Sequence, residues 1–159
     1  MSRSGKITKI TIDSDPIYNS RLVAKIINVV MKDGKKSIAQ KQVYQALDIL
    51  KAKTKADPLN SLRQALDNVK PSMEVRSRRI GGADYQVPSP VRGDRKESLS
   101  IRWVINAARA RSNREFHRFS AKLAAELFDA LNNQGGAIEK KNQMTKMAEA
   151  NKAFSHFRW

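Results

Sequence analysis

Arginine is concentrated in the middle of this sequence. Ten of the 14 arginines lie between residues 71 and 118, where Lys96 is the only lysine, whereas residues 1–56 carry ten lysines and two arginines. A guanidinium group offers a planar fork that can bind a phosphate or a base edge through two hydrogen bonds, while an ammonium group acts as a point charge. We therefore expect the middle of the chain to make geometrically defined contacts with an anion, and the N-terminal third to make looser electrostatic ones.

Two extended segments flank Gly81-Gly82 and predict a hairpin. A Gly-Gly pair can take the positive φ angles that a two-residue turn requires. Such a turn sets Arg79 opposite Asp84 and Arg78 opposite Tyr85. The first pair is ionic and the second is of the cation–π type, so both favour this register.

Neither face of this ribbon, residues 73–91, is uniformly apolar. Pro88 and Pro90 remove backbone donors, so the return strand should be an edge strand. Because a ribbon without a uniformly apolar face cannot be buried completely, we expect it to project from the protein as an arm. The three arginines within positions 76–79 favour an arm that grips a polyanion, and the alternative is an ordinary surface hairpin.

A second set of arginines has helical spacing. Four polar residues fall at offsets of 0, 7, 11 and 14, within one narrow sector of a helix: Arg95, Arg102, Asn106 and Arg109. The other sides of that helix are mostly apolar, which is typical of a helix in the core, and Trp103 is predicted to be buried there. A solvated face would normally mix acids with bases, so we interpret the row as phosphate contacts rather than as a simply solvated surface.

The overall charge supports a polyanionic partner. Lys and Arg number 31 against 15 Asp and Glu in 159 residues, a net charge of +16. This excess opposes compaction by self-repulsion unless a polyanion neutralises it, while 40% apolar residues suffice for one folded domain. The chain starts without an apolar signal segment, and no apolar run approaches ~20 residues. We expect a cytosolic protein that binds nucleic acid.

The patterns that would indicate an enzyme or a metal site are missing. Residues 34–37, Gly-Lys-Lys-Ser, resemble the end of a phosphate-binding P-loop, but Val29 and Lys36 stand where Gly and Ser or Thr belong. A helix-to-helix turn is the better interpretation. His117 and His156 are 39 residues apart without ligand partners at helical spacing, and there is no Cys. We predict no catalytic residue, metal or cofactor.

The predicted fold is a mainly α single domain of six helices, with the two-stranded antiparallel ribbon between the third and fourth. Residues 1–18 form an N-terminal arm and residues 150–159 a C-terminal tail. Helix starts are predicted at Ser20, at Asp57 with Pro58 in the first turn, and at two capping boxes. These boxes are Asp94 with Glu97 and Ser112 with Glu115.

Long stretches of the sequence also match a known pattern. They include Leu22-Val23-Ala24-Lys25, Ala65-Leu66-Asp67-Asn68-Val69-Lys70-Pro71, Glu74-Val75-Arg76-Ser77-Arg78-Arg79-Ile80-Gly81-Gly82-Ala83, Tyr85-Gln86-Val87-Pro88 and Met147-Ala148-Glu149-Ala150-Asn151-Lys152-Ala153-Phe154. With these and further matches, which together are spread over nearly all of the chain, the sequence resembles the small-subunit ribosomal protein seven family, in its bacterial or organellar form.

The resemblance implies a structural protein of the small ribosomal subunit. It implies binding to the 3′ major domain of small-subunit ribosomal RNA, a role in starting assembly of the head, and a position near the exit-site transfer RNA and the messenger path. The implied protein neighbours are ribosomal proteins eleven, nine, thirteen and nineteen. The implied location is the cytoplasm, with an organellar ribosome as the alternative.

The candidate site residues form two sets. Those predicted to bind ribosomal RNA are Arg3, Lys6, Lys9, Lys25, Lys35, Lys36, Arg76, Arg78, Arg79, Arg92, Arg95, Lys96, Arg102, Arg109, Arg111 and Arg114. Those that the resemblance places near the transfer RNA and messenger are Arg78, Arg79, Gly81, Gly82, Tyr85, Lys140, Lys141 and Lys146.

The sequence departs from the family pattern in the N-terminal arm and at the ribbon tip. The N-terminal arm is less basic than in bacterial relatives, and Asp84 stands at the ribbon tip where Thr is usual.

The main alternative function is a DNA-bending architectural protein with a β-arm. Its apolar or proline wedge is absent from the tip, where Gly81-Gly82 lies between Arg79 and Asp84. An RNA-modifying enzyme is a more distant alternative.

Overall fold

The computed structural model describes residues 11–157, and their elements follow the predicted order. They are α1 (Arg21–Val30), α2 (Lys36–Thr54), α3 (Pro58–Val69), β1 (Met73–Ile80), β2 (Ala83–Pro90), α4 (Gly93–Ala110), α5 (Phe119–Leu131), α6 (Gly136–Ala150) and a 3-10 helix (Lys152–Phe157). The mainly helical class and the ribbon between the third and fourth helices are confirmed. The predicted count of six holds for the α-helices of this part of the chain, and the 3-10 helix makes a seventh helical element. The candidate residues Arg3, Lys6 and Lys9 lie outside the described residues, as does Trp159.

Helix starts show where local sequence rules hold. Asp57 caps α3 as predicted, because its carboxylate accepts the Asn60 backbone N–H at 3.2 Å and Pro58 occupies the first turn. Ser20 precedes α1 without a side-chain capping bond.

Both predicted capping boxes are wrong. Helix α4 begins at Gly93, one residue before Asp94, and Arg92 takes the cap position. Helix α5 begins only at Phe119, because the Ser112 hydroxyl accepts the Arg114 N–H and forms a separate turn.

The core is built around α5, which packs against α2, α3 and α4. All six side chains from Lys122 to Leu127 are buried. Its neighbour α4 contributes an apolar side that includes Trp103, which is 8% exposed, so the predicted burial of Trp103 is confirmed. The apolar period of 3.6 residues identifies both helices as core elements, but only the packing makes α5 the more enclosed one.

The segment before α1 is tied to the core by Asp15, which is 3% exposed. Its carboxylate accepts the backbone N–H groups of Ile17 and Tyr18 and the Tyr44 hydroxyl, the last at 2.6 Å. Burial, together with this hydrogen bond to Asp15, raises the pKa of Tyr44 to about 12. The described part of the predicted N-terminal arm is therefore anchored to α2.

The ribbon has the predicted register, with Arg78 opposite Tyr85 and Arg79 opposite Asp84. Gly81 and Gly82 take φ angles of 57° and 90°, which explains the two glycines because a β-carbon disfavours positive φ. Both strands contact α6. Residues 81–84 at the tip are exposed, whereas Glu74, Val87 and Pro88 nearer the base are buried, so the base of the ribbon joins the helical body.

Candidate nucleic-acid interface

The outer side of α4 carries the predicted arginine row. Arg102 is exposed, and in residues 11–157 its side chain has no ion pair or hydrogen bond. Arg109 is exposed one heptad later, and its guanidinium donates to the Val30 carbonyl at 3.2 Å. Arg95 and Arg109 are separated by 14 residues, or roughly 21 Å along the helix axis, a span suited to several phosphates of one strand.

A buried carboxylate joins this row to the ribbon. Glu74 on β1 is 3% exposed and accepts the Arg76 Nε–H at 2.5 Å and the Arg95 Nε–H at 2.6 Å. Burial alone would raise the pKa of Glu74, but the hydrogen bonds from Arg95 and Arg76 outweigh burial and lower it. Arg76 and Arg95 each remain 52% exposed, so both guanidinium groups are oriented internally and still reach solvent.

The ribbon base also forms a basic cleft. Arg76, Arg78 and Arg92 line it together with Ser89, Val91 and neighbouring residues of β2. The Ser89 hydroxyl is the one buried side-chain oxygen or nitrogen of the described chain that lacks a hydrogen-bond partner. Guanidinium groups at one cleft are the kind of donor that binds phosphate through charge-assisted hydrogen bonds.

The ribbon tip is held from one side by the end of the chain. The Tyr85 ring lies 5.2 Å from the Phe154 ring and 5.5 Å from the Phe157 ring, measured between centroids. Aromatic pairs at such distances are mutually attractive. Tyr85 therefore links the ribbon to the 3-10 helix, while Arg79 and Gly81-Gly82 stay exposed.

One candidate arginine faces inward. Arg111 donates from Nε and Nη2 to a Glu126 oxygen at 2.8 and 2.7 Å, and also contacts the Asp129 carboxylate. Burial would lower the pKa of Arg111, but hydrogen bonds to Asp129 and Glu126 outweigh it and raise the value. Because its donors are engaged inside the protein, Arg111 is better explained as a structural residue than as an RNA contact.

The candidate lysines also divide into tethered and exposed groups. Lys25 pairs with Glu97 at 3.0 Å, and Lys141 donates to the Asn68 carbonyl at 2.6 Å, which ties α6 to α3. Lys96 is half-buried. Four exposed lysines remain, two in the turn before α2 and at its start and two on α6: Lys35, Lys36, Lys140 and Lys146.

Sequence reasoning missed two buried acids that bind candidate arginines, Glu74 and Glu126. Glu74 is a lone acid beside an arginine-rich run, and that isolation was the available signal. Glu126 had no comparable signal, because its partner Arg111 lies 15 residues away. It also missed the apolar groove beside Arg109, where Ile38 is 58% exposed.

Neither a metal-binding group nor a membrane-spanning helix is found in residues 11–157. This range holds no group of three or more His, Asp or Glu side chains that could bind a metal. None of its helices is long and apolar enough to cross a membrane. What it does hold is an exposed row of cations on rigid elements, which defines the class as a basic helical domain that binds a polyanion.

Comparison with known proteins shows which family within this class the chain belongs to. The family model described as Ribosomal protein S7p/S5e matches residues 2–152, and the chain belongs to that family. It is 54% identical over 159 residues to the small ribosomal subunit protein uS7 of Carboxydothermus hydrogenoformans and 55% identical to those of Caldicellulosiruptor bescii and Dictyoglomus turgidum. Each alignment covers all of both chains. These relatives are ribosomal proteins rather than enzymes, and the resemblance seen in the sequence is confirmed.

Proposed function

We propose that this protein binds the 3′ major domain of small-subunit ribosomal RNA and helps to start assembly of the subunit head. The observation that carries the proposal is the outer side of α4, where Arg102 and Arg109 are exposed and Arg95 is oriented by Glu74. Because Arg95 and Arg109 are each held by a hydrogen bond within the protein, they can meet a folded RNA with a smaller entropic cost of ordering.

The ribbon and α6 support a second part of the proposal. Arg79, Gly81 and Gly82 are exposed at the tip, and Lys140 and Lys146 are exposed on the helix that packs against the ribbon base. We place this surface near the exit-site transfer RNA and the messenger. The neighbouring proteins eleven, nine, thirteen and nineteen are proposed as its surroundings.

The RNA-binding proposal is tested by replacing the arginine row. In the triple variant Arg95→Gln, Arg102→Gln and Arg109→Gln, the helical circular-dichroism spectrum should stay nearly unchanged. The slope of log affinity against log salt, for a 3′ major domain RNA fragment, should flatten by roughly two to three units, about one per lost phosphate contact.

A matched control removes the same charge elsewhere. Lys41, Lys51 and Lys55 are exposed and belong to neither candidate set, so changing all three to Gln should alter the slope by less than about one unit. Equal flattening in both variants would reduce the row to nonspecific charge. Tighter binding of the unchanged protein to duplex DNA at equal salt would favour the DNA-bending alternative.

A further inference from the structure

An apolar groove lies at one end of the arginine row. The end of α1, the turn that follows it, the first two turns of α2, the last turn of α4 and the start of α5 surround a space of about 280 Å³. Val30, Ala39 and Phe119 form its apolar surface, and Ile38 stands at its edge with 58% of its surface exposed. Ile38 and the half-buried Phe119 therefore place apolar surface beside the basic residues of the groove.

The groove has a positively charged rim. Lys32, Lys35 and Arg109 line it, and no acidic side chain of the described chain does. The Arg109 Nη2 group donates to the carbonyls of Val29 and Val30 at 3.4 and 3.2 Å, which fixes one side of the guanidinium. Since a guanidinium has five N–H donors in a planar fork, others remain for an anion at the rim.

Gln42 adds a hydrogen-bonding group of defined polarity. Its Oε1 atom accepts the Ser120 backbone N–H at 3.1 Å, near the start of α5. A backbone N–H must bond to the amide oxygen rather than to the amide nitrogen, so this contact fixes which end of the amide is free. The Gln42 amide nitrogen is therefore the end left to donate to a ligand in the groove, which Gln42 also lines.

We propose that this groove holds one unstacked nucleotide of the ribosomal RNA. The base lies against Ile38 and Phe119, and Gln42 donates to an acceptor on its edge. The phosphate of the same nucleotide lies at the rim formed by Lys32, Lys35 and Arg109. The inference rests on the proposed RNA binding and adds to it a non-electrostatic, single-nucleotide contact.

The arrangement favours this occupant over two others. A paired duplex cannot present a base face to a groove, whereas an unpaired base in a loop or bulge can. An apolar side chain of a protein partner would fit the floor but would leave three cations without a complement. A nucleotide satisfies the apolar surface, the donor and the cationic rim together.

Two neutral substitutions test the groove. Ile38→Ser removes apolar surface from the groove, and Ile17→Ser is the matched control because Ile17 is 67% exposed and does not line it. Both exposed changes should leave the urea unfolding midpoint nearly unchanged. For the 3′ major domain RNA fragment, Ile38→Ser should lower affinity roughly five- to tenfold at every salt concentration, with the salt slope unchanged, and Ile17→Ser should lower it less than about twofold.

A cross-linking experiment locates the contact. The photoreactive residue p-benzoylphenylalanine at position 38 should cross-link to a single unpaired nucleotide of the same fragment, and at position 17 it should give no such band. Equal affinities of the two serine variants, or cross-links spread over paired RNA, would overturn the groove assignment while leaving RNA binding in place. If Ile38→Ser weakens only incorporation into the subunit and not binding to the fragment, a protein occupies the groove and the proposal is wrong. A failure of the unchanged protein to bind the fragment would instead contradict the proposed function itself.

Discussion

Arginine side chains are paired with acids in one region of this protein and exposed to solvent in another. Around Glu126, which is 1% exposed, the charges face each other: Arg111 binds Glu126 and Asp129, and Glu126 also accepts the Ala137 N–H at 2.9 Å. On the outer side of α4, Arg102 and Arg109 face solvent without an acidic partner in the described structure. The first region, here called the Glu126 cluster, joins α5 to the start of α6, and the second is free to meet a polyanion.

Residue type alone therefore does not decide whether an arginine stabilises the fold or is available to bind RNA. Arg109 and Arg111 are two residues apart, yet one reaches the surface and the other closes a buried ion pair. The backbone at Gly135 packs closely against the Glu126 cluster. Gly135 has a φ of +93°, and a β-carbon there would lie 3.0 Å from a Glu126 oxygen. Removing an arginine should therefore cost stability in one region and RNA affinity in the other.

The largest expected effect comes from Arg111→Met. It leaves the Glu126 carboxylate buried without its cation, and breaking a buried pair in this way costs about 3–5 kcal/mol. The free energy of unfolding from urea titration measures this loss. Arg102→Met, the same change at an exposed site, should alter it by less than about 0.5 kcal/mol.

For RNA binding, we expect the exposed arginine to matter more than the buried one. Arg102→Met should reduce the salt slope by about one unit, and folded Arg111→Met should keep the slope of the unchanged protein. If Arg111→Met is as stable as the unchanged protein and flattens the slope, the Glu126 cluster is part of the RNA interface and the comparison fails.

The next effect concerns the inner side of α4. Trp103 is buried but also borders a surface groove, so Trp103→Ala should cost about 3 kcal/mol, near the lower end for a buried aromatic residue. Chemical unfolding monitored by circular dichroism would measure it. Trp159→Ala is predicted to change stability little, and equal losses from both variants would contradict this assignment.

A smaller loss is expected for the ribbon tip. Replacing residues 78–85 with Gly-Ser removes mostly exposed side chains and the Tyr85 contacts with Phe154 and Phe157. Unfolding free energy should fall by no more than about 1–2 kcal/mol, because a small hairpin adds little core. Sedimentation should show that subunits still assemble.

In these assembled ribosomes we expect exit-site occupancy and reading-frame accuracy to fall, because we propose that the tip lies near the exit-site transfer RNA and the messenger. Exit-site occupancy and reading-frame accuracy are the properties to measure, with Asp84→Thr as a milder variant that keeps the hairpin. Unfolding of the deletion variant would show that the tip is a core element. Normal assembly, occupancy and frame would reduce it to a passive surface hairpin.

The smallest effect is a dependence of stability on acid at Glu74. Its pKa is lowered in the folded protein, so its contribution is present above the unfolded value of about 4.5 and is lost as pH falls through the lower folded value. Glu74→Gln should flatten the decline of unfolding free energy over that acidic range. Because Arg76 and Arg95 are half exposed, solvent screening keeps the change small. An identical decline in both proteins would mean that Glu74 does not link the ribbon to α4.

The limits of sequence reasoning are visible at particular residues. The hairpin register was predictable because Gly81-Gly82 fixes the turn and strand pairing then follows with a period of two. The start of α3 at Asp57-Pro58 was predictable for a similar local reason. The start of α5 was not, because the Ser112 hydroxyl serves a turn instead of a helix, and both choices satisfy the same local pattern.

Four features could be predicted from the sequence alone: the family, the apolar stripes of the helices, the ribbon and the concentration of arginine in the middle of the chain. Each of these depends on composition or on residues a few positions apart. Which cations are exposed depends instead on the packing of distant segments, because the acidic partners lie far away in the chain: Glu74 reaches Arg95 across 21 residues and Glu126 reaches Arg111 across 15. Helix packing sets those distances, and the energy of a charge depends on its partner and its burial rather than on its neighbours in sequence.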